Sequence, residues 1–195
     1  KNQILFAGRI VPLKAIDILL EALIIVKKVI PSIMLHVAGP ILEKDYYNNL
    51  MNYINKHNLI NNVTFMGLLN ESQLMEEYAK CAIFVLPSFT ETFSLVIAQA
   101  LAAGKPVVAS NVGGVPSIIN DGKMGFLVTV GDARSFAMRI IKLLQDEDLR
   151  SRMGENGREM ALKRFTSDII AKQTRHVYEF VYEKSSNTKE TEKSG

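Results

Sequence analysis

The chain has 195 residues, 48% of them hydrophobic and 22% charged, and its 23 basic and 20 acidic residues leave a formal charge of +3. This composition excludes a wholly disordered, collagen-like or coiled-coil chain, and so small and evenly spread a charge argues against a nucleic-acid partner. No apolar run approaches the ~18 residues that a bilayer-spanning helix needs, so no transmembrane segment is expected.

In chain order, Ile4–Ala7 reads as a short buried strand that ends at Gly8-Arg9. Ile16, Leu19, Leu20, Leu23, Val26 and Ile30 recur at helical spacing until Pro31. Ile33–Ala38 is the next strand, closed by Gly39-Pro40, and Glu43 to His57 is a helix with a polar face. Val63–Met66 is a strand ended by Gly67. A short helix, Glu71–Ala79, has Asn70 or Ser72 as its cap. Ala82–Leu86 is a strand ended by Pro87, and Ser94–Ala103 a helix stopped by Gly104 and Pro106. Val107–Ala109 is a strand, Gly113-Gly114 a turn, and Gly125–Val130 the last strand. Helices follow at 132–145, 147–163 and 166–183. Residues 184–195 carry no apolar side chain and are expected to be a disordered tail.

Short apolar strands alternating with helices predict an α/β fold, a parallel sheet covered by helices on both faces. Ligands of such sheets sit beyond the carboxyl ends of the strands. The loops Gly8–Lys14, Gly39–Leu42, Met66–Leu69, Ser88–Leu95 and Asn111–Val115 are therefore where a site is expected.

The first loop offers Arg9 and Lys14. Arginine gives a planar fork for two phosphate oxygens and lysine a movable point charge, so the pair suits a diphosphate. The other reading is that both simply face water. In the fourth loop Glu91 precedes Thr92, Phe93 and Ser94, and a helix then begins, whose free first-turn amides and dipole favour an anion. Gln99 lies about 7.5 Å further along that helix axis. A phosphate at the helix tip would have Glu91 on one flank and Gln99 on the other, which suits a sugar and a ribose. Alternatively, Glu91 is a solvated loop acid and Gln99 an ordinary helix residue. Gln99 interrupts an apolar, hence buried, helix, so a partner is expected for it.

Other signals are absent. No GxGxxG occurs, and neither Gly104-Lys105 nor Gly122-Lys123 belongs to a phosphate-binding P-loop. Asp146-Glu147-Asp148 matches a metal-holding D-x-D, but at a junction between helices it reads as helix-starting acids. The single cysteine, Cys81, forbids an internal disulfide and fits a reducing compartment. His36, His57 and His176 are too scattered for a zinc site, and no metal or cofactor is expected. His36, in an apolar strand, reads as a satisfied core residue.

Several stretches together resemble a known family. "FAGRIVPLKAIDILLEAL", "LHVAGP", "VTFMGLL" and "LPSFTETFSLVIAQALAAGKPVVASNVGGVPSIINDGKMGFLV" are similar to the C-terminal domain of retaining glycosyltransferases of family 4, and "DEDLRSRMGENGREMALKRF" is similar to its closing helix. The resemblance runs from about Ile4 to Arg164. It implies one half of a GT-B fold: a Rossmann-like, nucleotide-sugar-binding domain over 1–165, a crossover helix over 166–183, and an N-terminal acceptor domain that this chain lacks. Residue 1 is lysine and an apolar run starts at Ile4, so we read the chain as a piece of a longer protein with no signal segment before that run.

By the family's pattern, Arg9 and Lys14 contact the donor diphosphate, with Gly8 at the head of their loop. Thr92 and the backbone of Phe93, Ser94 and Leu95 cradle the diphosphate. The loops at Gly39-Pro40 and Met66-Gly67 flank the base. Glu91 is the first acid of the family's Glu-x7-Glu motif and faces the donor sugar. The second acid falls at position 99, which is Gln99, and a neutral amide in its place weakens donor binding about tenfold. Ala15 and Ser117 stand where glycine and glutamate are common.

The resemblance implies transfer of a sugar, with retention, from a nucleotide diphosphate sugar to an acceptor sugar, lipid or small molecule held by the missing domain. The expected location is the cytoplasm, with peripheral membrane attachment left open to that domain. A non-catalytic nucleotide-binding module and a GT-B sugar-nucleotide epimerase stand as the alternatives.

Overall fold

The computed structural model describes residues 2–191, with side chains for residues 2–182. Strands β1 (Gln3–Ala7), β2 (Met34–Ala38), β3 (Val63–Gly67), β4 (Ile83–Leu86), β5 (Val107–Ser110) and β6 (Gly125–Val128) form one sheet in the order β3-β2-β1-β4-β5-β6. All neighbours pair in parallel. The strands are short and apolar because both faces are covered, and every residue of β4 and β5 is buried.

The helices are α1 (Ile16–Val29), α2 (Lys44–Lys56), α3 (Glu71–Lys80), α4 (Leu95–Ala102), α5 (Val115–Ile118), α6 (Ala133–Gln145), α7 (Glu147–Arg164) and α8 (Ser167–Thr191). They cover both faces of a Rossmann-like sheet, α1 packing on α6 and α4 on α7. Phe6, Phe84, Phe136 and Tyr78 are among the largest fully buried side chains. Burying such a side chain contributes roughly 1.5–3 kcal/mol.

Capping follows the sequence. Asn70 starts α3 in a reciprocal capping box with Gln73. Asp146 accepts from the Leu149 amide at 2.8 Å and so starts α7, as expected of the acids at 146–148. His36 is half-buried and its Nδ1 lies 2.7 Å from Glu77 Oε2, so it is a partnered side chain.

Three features depart from expectation. β6 ends at Val128, because a turn closes it with the Asp132 amide on the Thr129 carbonyl. A single-turn helix, α5, follows Gly113-Gly114. Helix α8 continues through residues 184–191, where a disordered tail was expected, and 192–195 lie outside the described residues. No glycine or proline occurs between 166 and 194, so nothing in the backbone stops a helix that has already nucleated.

The order of the sheet fixes where a ligand can enter. Consecutive strands run outward from β1 to β3, then restart at β4 on the other side of β1. The loops after β1 and β4 therefore leave the sheet side by side, at the reversal where doubly wound sheets bind ligands.

Candidate functional site

The loop after β1 turns through Pro12–Lys14, and Ala15 then takes a left-handed conformation, φ 50 and ψ 44. That kink ends the turn and starts α1 in a new direction. A non-glycine residue pays about 1–2 kcal/mol there, which is why a glycine suits the position. The loop after β4 is joined to this one by the Phe89 amide, which donates to the Leu13 carbonyl at 3.0 Å.

The two loops also meet through side chains. Lys14 Nζ donates to Glu91 Oε1 at 2.5 Å, and both side chains are largely enclosed, at 17% and 9% exposure. Ser88 Oγ donates to the same Oε1 at 2.8 Å. Glu91 is fixed through its backbone as well: its carbonyl accepts from the Gly114 amide at 3.0 Å. A Cβ at Gly113 would stand 1.7 Å from that carbonyl oxygen, so only glycine lets the strand β5 loop approach so closely.

Lys14 was expected to face a diphosphate, but its ammonium is bonded to Glu91. The pair is close to neutral, and Arg9 is exposed without a partner among the described residues. Positive potential at this edge therefore comes chiefly from Arg9 and from the start of α4. That start is open. Ser94 is the residue before the helix, supplies no side-chain cap, and its buried hydroxyl has no hydrogen-bond partner. An orphaned hydroxyl beside uncapped first-turn amides suits an incoming oxyanion.

The start of α1 is closed by comparison. Tyr46 reaches over from α2, and its Oη accepts from the Ile16 amide at 2.9 Å and the Asp17 amide at 3.3 Å. It donates to Asp17 Oδ1 at 2.7 Å. Burial, then the bond to Asp17, pushes the phenol far above its usual range. Of the two helix tips beside the reversal, only that of α4 is free for a ligand.

Next to it lies a crevice of about 240 Å³ lined by Gly8, Arg9, Gly39, Pro40, Leu68, Leu69, Leu74 and Val96. Its floor is a tight backbone crossing, since a Cβ at Gly39 would lie 1.8 Å from the Gly8 carbonyl oxygen. Gly8, Arg9, Gly39 and Pro40 thus line one crevice. From the β3 loop it is Leu68 and Leu69 that line the crevice; the expected Met66 and Gly67 do not, and the Gly67 carbonyl accepts from the Gly39 amide at 2.8 Å. Thr92 and Phe93 are exposed on the loop leading into α4.

Gln99 is placed differently from expectation. It is exposed, not buried, because the apolar faces of α4 leave that position outermost. It lines a separate groove of about 400 Å³ together with Phe93, Leu95, Phe165 and Ile170. Tyr78 Oη lies 3.1 Å from the Val96 carbonyl and 3.3 Å from Gln99 Oε1 and has one hydrogen for the two, so the Gln99 amide keeps acceptor as well as donor capacity for another partner. Phe93 closes the upper end of that groove edge-on against Phe165, 5.7 Å between centroids.

Sequence reasoning named the loops that hold Ser88, Leu68 and Leu69 without singling these residues out, and passed over Tyr46 and Val96. For Ser88 a signal existed, a hydroxyl directly after a buried strand. The others depend on which loops the sheet order sets side by side. Among the described residues no group of three or more His, Cys, Asp or Glu is arranged to hold a metal, and no helix is long and apolar enough to cross a membrane.

Residues 1–160 match the family model described as glycosyl transferases group 1. An uncharacterised glycosyltransferase of Methanocaldococcus jannaschii is 32% identical over 175 residues, covering 90% of this chain and 47% of that protein. The D-inositol 3-phosphate glycosyltransferase of Streptomyces scabiei is 33% identical over 180 residues, covering 89% and 40%. Among solved structures, the Anabaena protein HepE in complex with UDP and glucose superposes with a TM-score of 0.84 at 29% identity, covering 92% of this chain and 48% of that one. The chain thus spans less than half the length of these relatives.

Proposed function

The chain belongs to the group 1 glycosyl transferases, and from that premise we propose that it is the donor half of a retaining glycosyltransferase of GT-B architecture, binding a nucleotide diphosphate sugar. The observation that carries the reading is the open tip of α4, with the orphaned Ser94 hydroxyl, beside Arg9 and the Lys14–Glu91 pair. HepE, at 29% identity, holds UDP and glucose in its crystal structure, which supports the same ligand class here.

In this reading the base enters the crevice between Gly39-Pro40 and Leu68-Leu69. The diphosphate lies across the amides of Ser94 and Leu95 and is met by the Arg9 guanidinium. The sugar then reaches Glu91. As the bond to the sugar breaks, negative charge grows on the leaving diphosphate, and preoriented donors there lower the barrier. Glu91 accepts from the sugar hydroxyls and favours positive charge developing on the ring. Lys14 moves between Glu91 and the nearer phosphate. The acceptor, a sugar, lipid or small molecule, is held by a second domain outside this chain.

A thermal-shift panel of UDP, GDP and ADP tests the reading. A ligand at 100 times its dissociation constant adds about 2.7 kcal/mol of stability, which for a domain of this size raises the midpoint by several degrees. One diphosphate should do so, and no shift with any of the three would overturn the proposal.

A further inference from the structure

The carboxylate of Glu91 is held unevenly. Oε1 accepts two donors, Lys14 Nζ at 2.5 Å and Ser88 Oγ at 2.8 Å. Oε2 accepts none among the described residues, yet it is not among the sealed, unpartnered polar atoms, so solvent reaches it. A carboxylate oxygen has about two acceptor sites, so Oε1 is saturated and both sites of Oε2 remain for an incoming hydroxyl.

The two donors differ in what they can fix. Lys14 carries its charge on a flexible four-carbon stem, which follows the carboxylate wherever it turns. Ser88 is fully buried, directly after β4 and Pro87, so its short side chain is anchored to the sheet. It cannot meet a ligand itself. Its hydroxyl sets the rotation of the Glu91 carboxylate about its last bond, where the intrinsic torsional preference is broad.

Resting on the donor reading above, we propose that Ser88 is a positioning residue for the donor sugar: it pins Oε1 of Glu91 so that Oε2 is the oxygen presented to a sugar hydroxyl. The contribution is confined to the sugar. The diphosphate and base contact other groups, and Ser88 stays on Oε1 when Lys14 turns to the phosphate, so loss of its hydroxyl changes their binding little.

The test compares two ligands on the full chain by calorimetric titration: whichever of UDP, GDP and ADP binds, and its glucose conjugate. Ser88→Ala should weaken the glucose conjugate about fivefold, the scale of one ordinary hydrogen bond felt indirectly through Glu91, and leave the bare diphosphate within about twofold. Ser88→Cys, close in size but a weak donor, should show the same split, and it serves if the alanine variant does not fold. Equal losses for both ligands, or no loss for either, would overturn the positioning role. Binding of none of the three diphosphates by the unmodified chain would instead remove the donor reading beneath it.

Discussion

Lys14 and Glu91 lie 77 positions apart in the chain, and Nζ of one stands 2.5 Å from Oε1 of the other. The contact exists because β1 and β4 are neighbours in the sheet, Ile4 pairing with Ile83. It ties the cation of the first loop to the acid of the fourth and leaves Arg9 as the exposed, unpaired cation of this edge among the described residues.

Glu91→Gln in a full-length enzyme keeps the shape of the side chain and removes its charge. Turnover should fall by about 10² or more, the scale for losing one electrostatic contact in a transition state. Affinity for the nucleoside diphosphate should change by no more than about threefold. Steady-state kinetics beside a titration reads both, and parallel losses would contradict the role given to the carboxylate.

Arg9→Ala should act the other way. Arg9 has no partner to lose among the described residues, so the melting midpoint should stay within about a degree. A charged hydrogen bond to phosphate is worth about 1.5–3 kcal/mol, so diphosphate affinity should fall at least tenfold. The loss should shrink as salt screens the exposed guanidinium. An unchanged affinity would place the anion elsewhere.

Glu77 links acid sensitivity to the fold. It accepts from Gln3 at 2.9 Å, meets His36 Nδ1 at 2.7 Å and accepts from Lys80 at 3.3 Å. Burial by itself raises its pKa, but the hydrogen bonds and charges of His36 and Lys80 outweigh that and hold it below the usual carboxylate range. A carboxylate whose folded pKa is lowered stabilises fully above its unfolded value, about 4.3. The contribution is lost as pH falls through the lowered folded value. Glu77→Gln should therefore cost about 1–2 kcal/mol at pH 7, with the gap to the unmodified chain closing below about pH 4. Urea midpoints across that range measure it, and a gap that does not change with pH would refute the assignment.

Ala15 has room for neither strain nor bulk, being fully buried at φ 50. Ala15→Gly relieves about 1–2 kcal/mol of backbone strain but loses a buried methyl and gains unfolded-state freedom. The net should lie within about 1 kcal/mol of zero. Ala15→Val places a β-branched side chain in the left-handed region and should cost at least ~2 kcal/mol. Denaturant midpoints at constant slope separate the two, and a valine variant as stable as the glycine one would show that the turn is not rigid.

The sheet, most helix limits and the caps were legible because each follows from local rules. Apolar runs of three to six residues, most of them ended by glycine or proline, gave the strands, and Asn70 and Asp146 gave helix starts through side-chain geometry that spans only three residues. The polar stretch after 183 misled because low hydrophobicity predicts disorder, whereas a helix already formed by residues 167–183 extends until a breaker arrives. Gln99 misled for a related reason. An apolar helix is expected to be buried all round, yet α4 has one edge open towards Phe165.

The sequence by itself determined which residue types stand after each strand: Arg9 and Lys14 after β1, Gly39-Pro40 after β2, Glu91 and Ser94 after β4. It could not say which of them touch. That Lys14 is bonded to Glu91, that Tyr46 closes one helix tip while Ser94 leaves the other open, and that Ser88 holds one oxygen and not its twin were decided only by the tertiary structure. Such contacts join residues far apart in the chain. Their distances are fixed by strand order and helix packing, which act through space, whereas periodicity and capping act only along the chain.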